Sequence, residues 1–533
     1  MTPFQEFRLW ARRAPTGERT AAAVAAVLAL ALFAWLLVPS GSDETELATF
    51  DAASGSTTGS GGTGTAGRSG TSAGGSGAEG IDVDASGVAI GGVGGTPTTG
   101  GGAGGGGGGG GGDGGDGQPV EGEAPAAAEG PQCPPAPGGV RGVSDGHIKI
   151  AGILTDIAGP AANNLFGIPA ADAQRAMFDA TLTAINAEGG IACREVDLQL
   201  FRGNPADREG LQRLCLEIVE SGAFAVIDTG AYAAFPQKQC FAQNGVPYYG
   251  GYFLEREERD TFFPFLFNLQ LLDTLHRDTA LGLKELGFFG QGFQKLGVLH
   301  QSCSAALVRN MNQALADAGI GGDEIVRYDL GCPSTFSSPA DLSQAVLTFQ
   351  RSGVTHVSIF DSVGDIANFT RLAEQQRFRP RYGLPDEALI SISYGNQPPD
   401  PNQLDNAIAI TSARNGEERT PGVQPSEGSQ RCSAIYQAAG LPPVWEQPSL
   451  AGNMCNQWWM LRAAADHAPA LQPDALAAGL QRAGSIETSY PTGPMDWSAQ
   501  GSTTGGQFWR AAKFEAGCRC WKLVAPEFKP NFR

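Results

Sequence analysis

From residue 148 onward, short apolar runs rich in β-branched residues alternate with longer runs of helical periodicity. IKIAGIL at 148–154 predicts a strand, and the stretch from Pro169 to Asn186 predicts a helix opened by proline in its first turn. The alternation restarts after Phe263 and continues to the strand THVSIF at 355–360. Such alternation is typical of parallel sheets covered by helices on both faces. The sequence therefore predicts an α/β fold with two Rossmann-like lobes.

A long apolar segment lies near the N-terminus. Ala21 to Val38 is 18 residues without a charge, and as a helix it would be about 27 Å long, close to the roughly 30 Å core of a bilayer. Arginines precede it and acidic residues follow it, which predicts a cytoplasmic N-terminus over 1–20 and a transmembrane helix over 21–38. A cleaved secretory signal is the alternative, because small residues at 38–40 suit a peptidase. Both interpretations export the rest of the chain.

Residues 40–131 carry almost no large apolar side chains and include nine consecutive glycines at 104–112. Glycine loses the most backbone freedom on ordering and adds no apolar surface to bury. We therefore expect a disordered Gly/Ser/Thr-rich linker here, which leaves about 400 residues to fold.

Charge and motifs exclude several function classes. The net charge is −19 and the part after the linker has no Lys/Arg cluster, which argues against nucleic acid as a partner. We find no P-loop, no H-E-x-x-H and no nucleophile elbow in the folded part. Paired C-x-x-C knuckles are also missing. We therefore expect no catalysis, no cofactor and no metal.

Four segments carry a resemblance to a known family. They are HIKIAGILTDIAGP, AINAEGGIACREVDLQLFRGNP, KLGVLHQSCSAALVRNMNQALADAG and GPMDWSAQG, in this order along the chain. From about His147 to its end, the chain resembles type I periplasmic binding proteins of the branched-chain amino acid (Leu/Ile/Val) ABC transporter class. The resemblance implies three hinge crossings between two lobes, which are residues 132–270 with about 412–490, and about 271–411 with 491–533. It also implies a small molecule clamped between them and membrane subunits of an importer as partners.

Ligand contacts are expected in loops at the carboxyl ends of the strands, where helix N-termini offer free N–H groups. The candidates are Gly159, Thr229, Gly230, Tyr232, Gly251 and Tyr252 in the first lobe, and Ser302, Asp361 and Asp386 in the second. The resembled family places an acidic residue at the position of Asp386, against a ligand's ammonium group, although Asp before a helix is also a common N-cap. Tyr252 alternatively covers apolar surface.

The loops DTGAYAAF and PYYGGYF depart from the resembled family, which has Ser/Thr-rich loops in these places. Glycine and aromatic residues replace most of the hydroxyl donors. The sequence therefore leaves two classes of ligand, an amino-acid-like molecule and a small aromatic or amide.

Ten cysteines in an exported chain predict disulfides. Cys215 and Cys240 lie on predicted helices that flank one strand, so we pair them. Local closure pairs Cys303 with Cys332, and successive helical segments pair Cys432 with Cys455. Elimination leaves two pairs, Cys133–Cys193 and Cys518–Cys520.

Three functions fit these observations. The first is a membrane-tethered, extracytoplasmic solute-binding protein that serves an ABC-type importer. The second is a ligand-sensing receptor subunit with the same clamp, although residues 1–20 are too short to be a cytoplasmic output domain. The third is an envelope protein that binds a protein or a wall polymer.

Overall fold

A computed structural model of the chain describes residues 133–532, with gaps. The residues within this span that are not described are 158, 161–162, 164–167, 206, 229–235, 251–253, 334–336, 361–364, 387–399 and 448. The expected cytoplasmic N-terminus (1–20), membrane helix (21–38) and linker (40–131) lie outside the described residues. Within the described part, no helix combines the length and apolar character needed to cross a membrane.

The first sheet has six strands in the order β1-β2-β4-β5-β6, with β3 also paired to β2. All pairs are parallel except β1 with β2. The strands are β1 (Val143–Ser144), β2 (His147–Thr155), β3 (Glu195–Gly203), β4 (Ala225–Asp228), β5 (Tyr248–Tyr249) and β6 (Leu266–Phe267).

The second sheet has eight strands in the order β15-β14-β11-β10-β9-β7-β8, with β16 paired to β14. They are β7 (Leu296–His300), β8 (Ile325–Asp329), β9 (His356–Phe360), β10 (Arg381–Leu384), β11 (Ile408–Thr411), β14 (Phe508–Glu515), β15 (Cys520–Leu523) and β16 (Lys529–Pro530). Strands β7 to β11 pair in parallel, and β14 to β16 add antiparallel strands. A separate ribbon consists of β12 (Ser485–Ile486) and β13 (Met495–Asp496).

Helices cover both sheets. They are α1 (Ala171–Ala187), α2 (Arg208–Glu220), α3 (Pro236–Gln243), α4 (Arg256–Thr261), α5 (Leu272–Glu285), α6 (Ala305–Asp317), α7 (Pro339–Arg351), α8 (Asp365–Gln375), α9 (Pro401–Leu404), α10 (Glu427–Ala438), α11 (Ser449–Asp466) and α12 (Leu476–Ala483).

Neighbouring residues of β2 show how both faces of the first sheet are buried. Ile150 shares a core cluster with Trp458 of α11, whereas Ala151 shares a different cluster with Cys215 of α2. Side chains alternate between the two faces of a strand, and both faces of β2 are buried, so its sequence is a nearly continuous run of apolar residues. The α/β class predicted from the alternation is confirmed.

The chain passes between the two sheets three times, over residues 268–271, 412–426 and 487–507. Asn268 pairs with Thr504 and Ala413 pairs with Thr492, so the third crossing lies beside each of the other two. We call the sheet of β1–β6 with its helices the first lobe, and the sheet of β7–β11 with its helices the second lobe.

Five disulfides are present, Cys133–Cys193, Cys215–Cys240, Cys303–Cys332, Cys432–Cys455 and Cys518–Cys520. These are the pairs that the sequence predicts. Cys215 and Cys240 join α2 to α3 with their Cα atoms 6.3 Å apart, which fits two helices that pack side by side on one face of a parallel sheet.

Candidate functional site

The candidate site is formed by the loops that leave the carboxyl ends of the parallel strands. In the first lobe β2, β4 and β5 end at one edge of the sheet, and in the second lobe β7, β9 and β10 do the same. Six of the predicted ligand contacts follow these strands in the sequence but lie outside the described residues, so they stay predictions: Thr229, Gly230, Tyr232, Gly251, Tyr252 and Asp361.

Gly159 lies in the loop after β2, and its backbone is already engaged. Its N–H donates a 2.8 Å hydrogen bond to Asp156 Oδ1. Its φ of +86° is a backbone conformation that residues with a Cβ rarely adopt. The N–H of Ile157 donates to Asn163 Oδ1 at 2.8 Å. The N–H of Gly159 is therefore already bound within the chain, to the Asp156 carboxylate.

Asp386 follows β10 and is only 1% exposed. One carboxylate oxygen accepts a hydrogen bond from the Thr411 hydroxyl, and the other accepts from the backbone N–H and the hydroxyl of Ser412. Burial raises the pKa of this carboxyl, while the hydrogen bonds from Ser412 and Thr411 act in the opposite direction. Asp386 thus connects the end of β10 to the end of β11, where the second crossing begins. Its contact with a ligand's ammonium group stays a prediction.

The loop after β7 holds Ser302 and is tied to the loop after β8. The N–H of Ser302 donates to the Gly331 carbonyl at 2.8 Å, and the Cys303–Cys332 disulfide follows directly. Ser304 then caps α6, because its hydroxyl accepts a 3.3 Å hydrogen bond from the N–H of Leu307. The start of α6 is therefore held by the Ser304 cap and by the disulfide of the preceding residue, Cys303.

Several contacts join the lobes at this edge. The Ser304 hydroxyl donates to Glu255 Oε2 at 2.5 Å, between the loop after β7 and the segment after β5. The N–H of Arg256 donates to Asp273 Oδ2 at 2.7 Å. Sequence reasoning named Ser302 in this loop but did not single out Glu255 or Asp273. Nothing local marks Glu255, whereas a serine before an apolar helical run is a recognisable N-cap.

A pocket of about 530 Å³ opens beside these contacts. Its lining comes from α4 of the first lobe and from α5 and α6 of the second, namely Arg256, Glu257, Asp260, Thr261, Asp273, Ala306, Arg309 and Asn310. Small-molecule sites are mostly apolar with a few polar groups. This lining is mostly charged or polar, so we do not assign the ligand to this pocket.

The remaining chemistry near the site is limited. His300, at the end of β7, is 4% exposed, and its Nδ1 lies 3.3 Å from the Gln301 carbonyl. Among the residues that the structure describes, no group of three or more His, Cys, Asp or Glu side chains could hold a metal ion.

One protein family matches the chain. A family model of periplasmic binding proteins matches residues 147–517. The chain is also similar to a solute-binding protein of an R. palustris ABC transporter in complex with 4-hydroxybenzoate, with 13% identity, coverage of 72% of this chain and 97% of that chain, and a TM-score of 0.53. A solute-binding protein from Rhodopseudomonas palustris BisB5 in complex with 3,4-dihydroxybenzoic acid has 14% identity, coverage of 72% and 97%, and a TM-score of 0.50.

A type 1 periplasmic binding protein from Bordetella pertussis Tohama I has 14% identity, coverage of 72% of this chain and 99% of that chain, and a TM-score of 0.51. At such identities the likeness to solved structures concerns the fold alone. No curated protein matches the chain.

Proposed function

Since the chain belongs to the periplasmic binding protein family, we propose that it captures a small molecule between its two lobes and delivers it to the membrane subunits of an ABC-type importer. The observation that carries the proposal is the meeting of two carboxyl-edge segments, because Glu255 after β5 contacts Ser304 after β7. Loops at these edges are where open α/β sheets bind ligands. The role is binding, and it involves no catalytic step.

The proposed ligand is a small aromatic acid or amide, or an amino-acid-like molecule. The loops DTGAYAAF and PYYGGYF supply glycines and aromatic rings in place of most Ser/Thr hydroxyls, and two similar structures contain hydroxybenzoates. An aromatic ring stacks favourably on tyrosine, and Tyr232 and Tyr252 are the candidates. Asp386 would instead favour a ligand with an ammonium group.

We also propose that the helix 21–38 and the linker 40–131 tether the folded part of the protein to the membrane, outside the cytoplasm. The support is the uncharged apolar run and the charge asymmetry around it. Intact mass spectrometry of protein from washed membranes tests the tether. A mature chain that begins near Met1 supports an anchor, whereas a start at Gly41 shows a cleaved signal.

A thermal-shift series on the full-length protein tests the binding function. The probes are leucine, 4-hydroxybenzoate and 3,4-dihydroxybenzoate, each titrated to saturation. A true ligand stabilises the protein by about 2.7 kcal/mol at a hundredfold excess over its Kd. Tyr252→Ala should lower the affinity for an aromatic ligand. Asp386→Asn should lower the affinity for leucine by roughly tenfold or more if the ammonium group of leucine is bound there. A ligand whose affinity neither variant changes would reject these contacts.

A further inference from the structure

Two helix N-termini are joined across the lobe boundary by side chains from the opposite lobe. Glu255 occupies the N-cap position of α4, but its side chain makes no capping bond to that helix. It accepts instead a 2.5 Å hydrogen bond from Ser304, the N-cap residue of α6. The carboxylate of the first lobe is therefore bound at the start of a second-lobe helix, where negative charge is favoured.

The reverse contact comes from Asp273 in the first turn of α5. One of its oxygens accepts a 2.7 Å hydrogen bond from the N–H of Arg256, the first residue of α4. Its other oxygen accepts from the side-chain amide of Asn310 on α6. The N-terminus of α4 thus receives from the second lobe the capping that Glu255 does not provide.

Both partners of the Glu255–Ser304 bond stand on fixed backbone. Leu254 is 1% exposed and shares a core cluster with Tyr248 of β5 and Leu266 of β6 in the first lobe. On the other side, the Cys303–Cys332 disulfide holds the residue before Ser304. Neither side chain can follow its partner far if the lobes move apart, so the bond depends on the relative position of the lobes.

We propose that Glu255, Ser304 and Asp273 form a latch that favours the closed arrangement of the lobes before any ligand binds and so raises ligand affinity. The inference rests on the proposed function, because only a clamp gains from such a bias. A contact made in one arrangement shifts the equilibrium by its differential free energy. For a half-buried bond to a carboxylate we expect a shift of roughly three- to tenfold.

The charges around Glu255 make it sensitive to a new negative group. Burial raises the pKa of its carboxyl, the bond from Ser304 lowers it, and Glu258 and Asp273 raise it while Lys238 lowers it. Lys238 is already bound to Glu258 at 2.6 Å. A second carboxylate placed at position 304 would therefore face an environment with little spare positive charge.

Hydrogen–deuterium exchange of the full-length protein without ligand tests the latch with a matched pair of variants. Asp and Asn both cap helices well, so Ser304→Asp and Ser304→Asn each preserve the start of α6. Only Asp opposes the Glu255 carboxylate, whereas the Asn amide can still donate to it. Ser304→Asp should speed exchange about three- to tenfold in the peptides covering 255–262 and 303–311, with β2 unchanged. Ser304→Asn should match the wild type.

Glu255→Ala provides a second test, because it removes the bond without touching the α6 cap. It should speed exchange in the same two peptides. Wild-type exchange in both Ser304→Asp and Glu255→Ala would overturn the latch, as would equal acceleration in Ser304→Asp and Ser304→Asn. These results need no ligand, so they are independent of the probe titrations. If the three probes fail while the latch variants behave as expected, the contact between the lobes stands and the three probes are rejected as ligands.

Discussion

The guanidinium of Arg510, on β14, forms a 2.9 Å ion pair with Glu417, which belongs to the second crossing between the lobes. Arg510 is 2% exposed, and it also donates two hydrogen bonds to the Ala413 carbonyl. The ring of Phe528 lies 4.0 Å from its guanidinium carbon. This contact fixes the start of the second crossing to the last long strand of the second lobe.

Glu417→Ala should therefore destabilise the protein strongly. It leaves Arg510 without its carboxylate and removes the 3.5 Å contact from Arg414 as well. Breaking a buried pair by removing one partner costs about 3–5 kcal/mol. The free energy of unfolding in urea is the measurement. Glu285→Ala, which breaks the exposed pair with Lys529, is the control and should cost less than about 1 kcal/mol. Equal costs would show that the Arg510 pair is not a structural anchor.

Asp278 should make stability fall as pH rises toward neutrality. It is 1% exposed, and burial raises the pKa of its carboxyl to about 7. Below pH ~4 the group is protonated in both states, and between about 4 and 7 only the folded protein holds the proton, so unfolding releases it. Asp278→Asn should keep the acceptor for the N–H of Phe532 and be more stable than wild type at pH 8 by about 2–4 kcal/mol. A difference that persists at pH 4 would contradict this explanation.

Gly452→Ala should be among the most damaging single changes. Gly452 lies in α11, and a Cβ there would come within 1.3 Å of the Tyr490 carbonyl oxygen in the third crossing. Backbone on both sides has to move, which costs upward of about 3 kcal/mol. Gly138→Ala is the matched control, because its Cβ would meet nothing within 4 Å. Thermal unfolding of the two variants decides the matter, and a near-neutral Gly452→Ala would mean that α11 does not pack so closely against the crossing.

The disulfides should contribute unequally to stability. Cys215 and Cys240 are buried and close a loop with a separation of 25 residues, for which chain entropy gives about 3.5 kcal/mol. Cys518 and Cys520 are separated by 2, within a hairpin that β14 and β15 already close, so the same relation gives at most about 1.5 kcal/mol. Replacing each pair by alanines and measuring urea unfolding tests the order. A larger loss from the Cys518 and Cys520 pair would reverse it.

Local patterns were sufficient to predict much of the fold. The run IKIAGIL lies within β2, and the predicted strand THVSIF contains β9. The pairing of Cys215 with Cys240 followed from two helices beside one strand. Each of these features depends on periodicity or on neighbours close in the chain, which a sequence displays directly.

The contacts between distant segments could not be predicted in this way. Glu255 and Ser304 are 49 residues apart, and Arg510 meets Glu417 only because β14 pairs with β11. The antiparallel strands β14 and β15 also escaped the sequence analysis, since FWRAAKFE lacks a clear alternation of apolar and polar residues. The ligand contact predicted for Asp386 stays a prediction, and its bonds to Thr411 and Ser412 could not be predicted because they depend on strand order.

The central claim, a small molecule clamped between two lobes, is tested most directly by a crystal structure of the protein with whichever probe raises its melting temperature most. The proposal predicts the probe between the lobes, in contact with loops after β4 or β5 of the first lobe and with loops after β7, β9 or β10 of the second. A probe bound to one lobe alone, or outside the space between them, would contradict it.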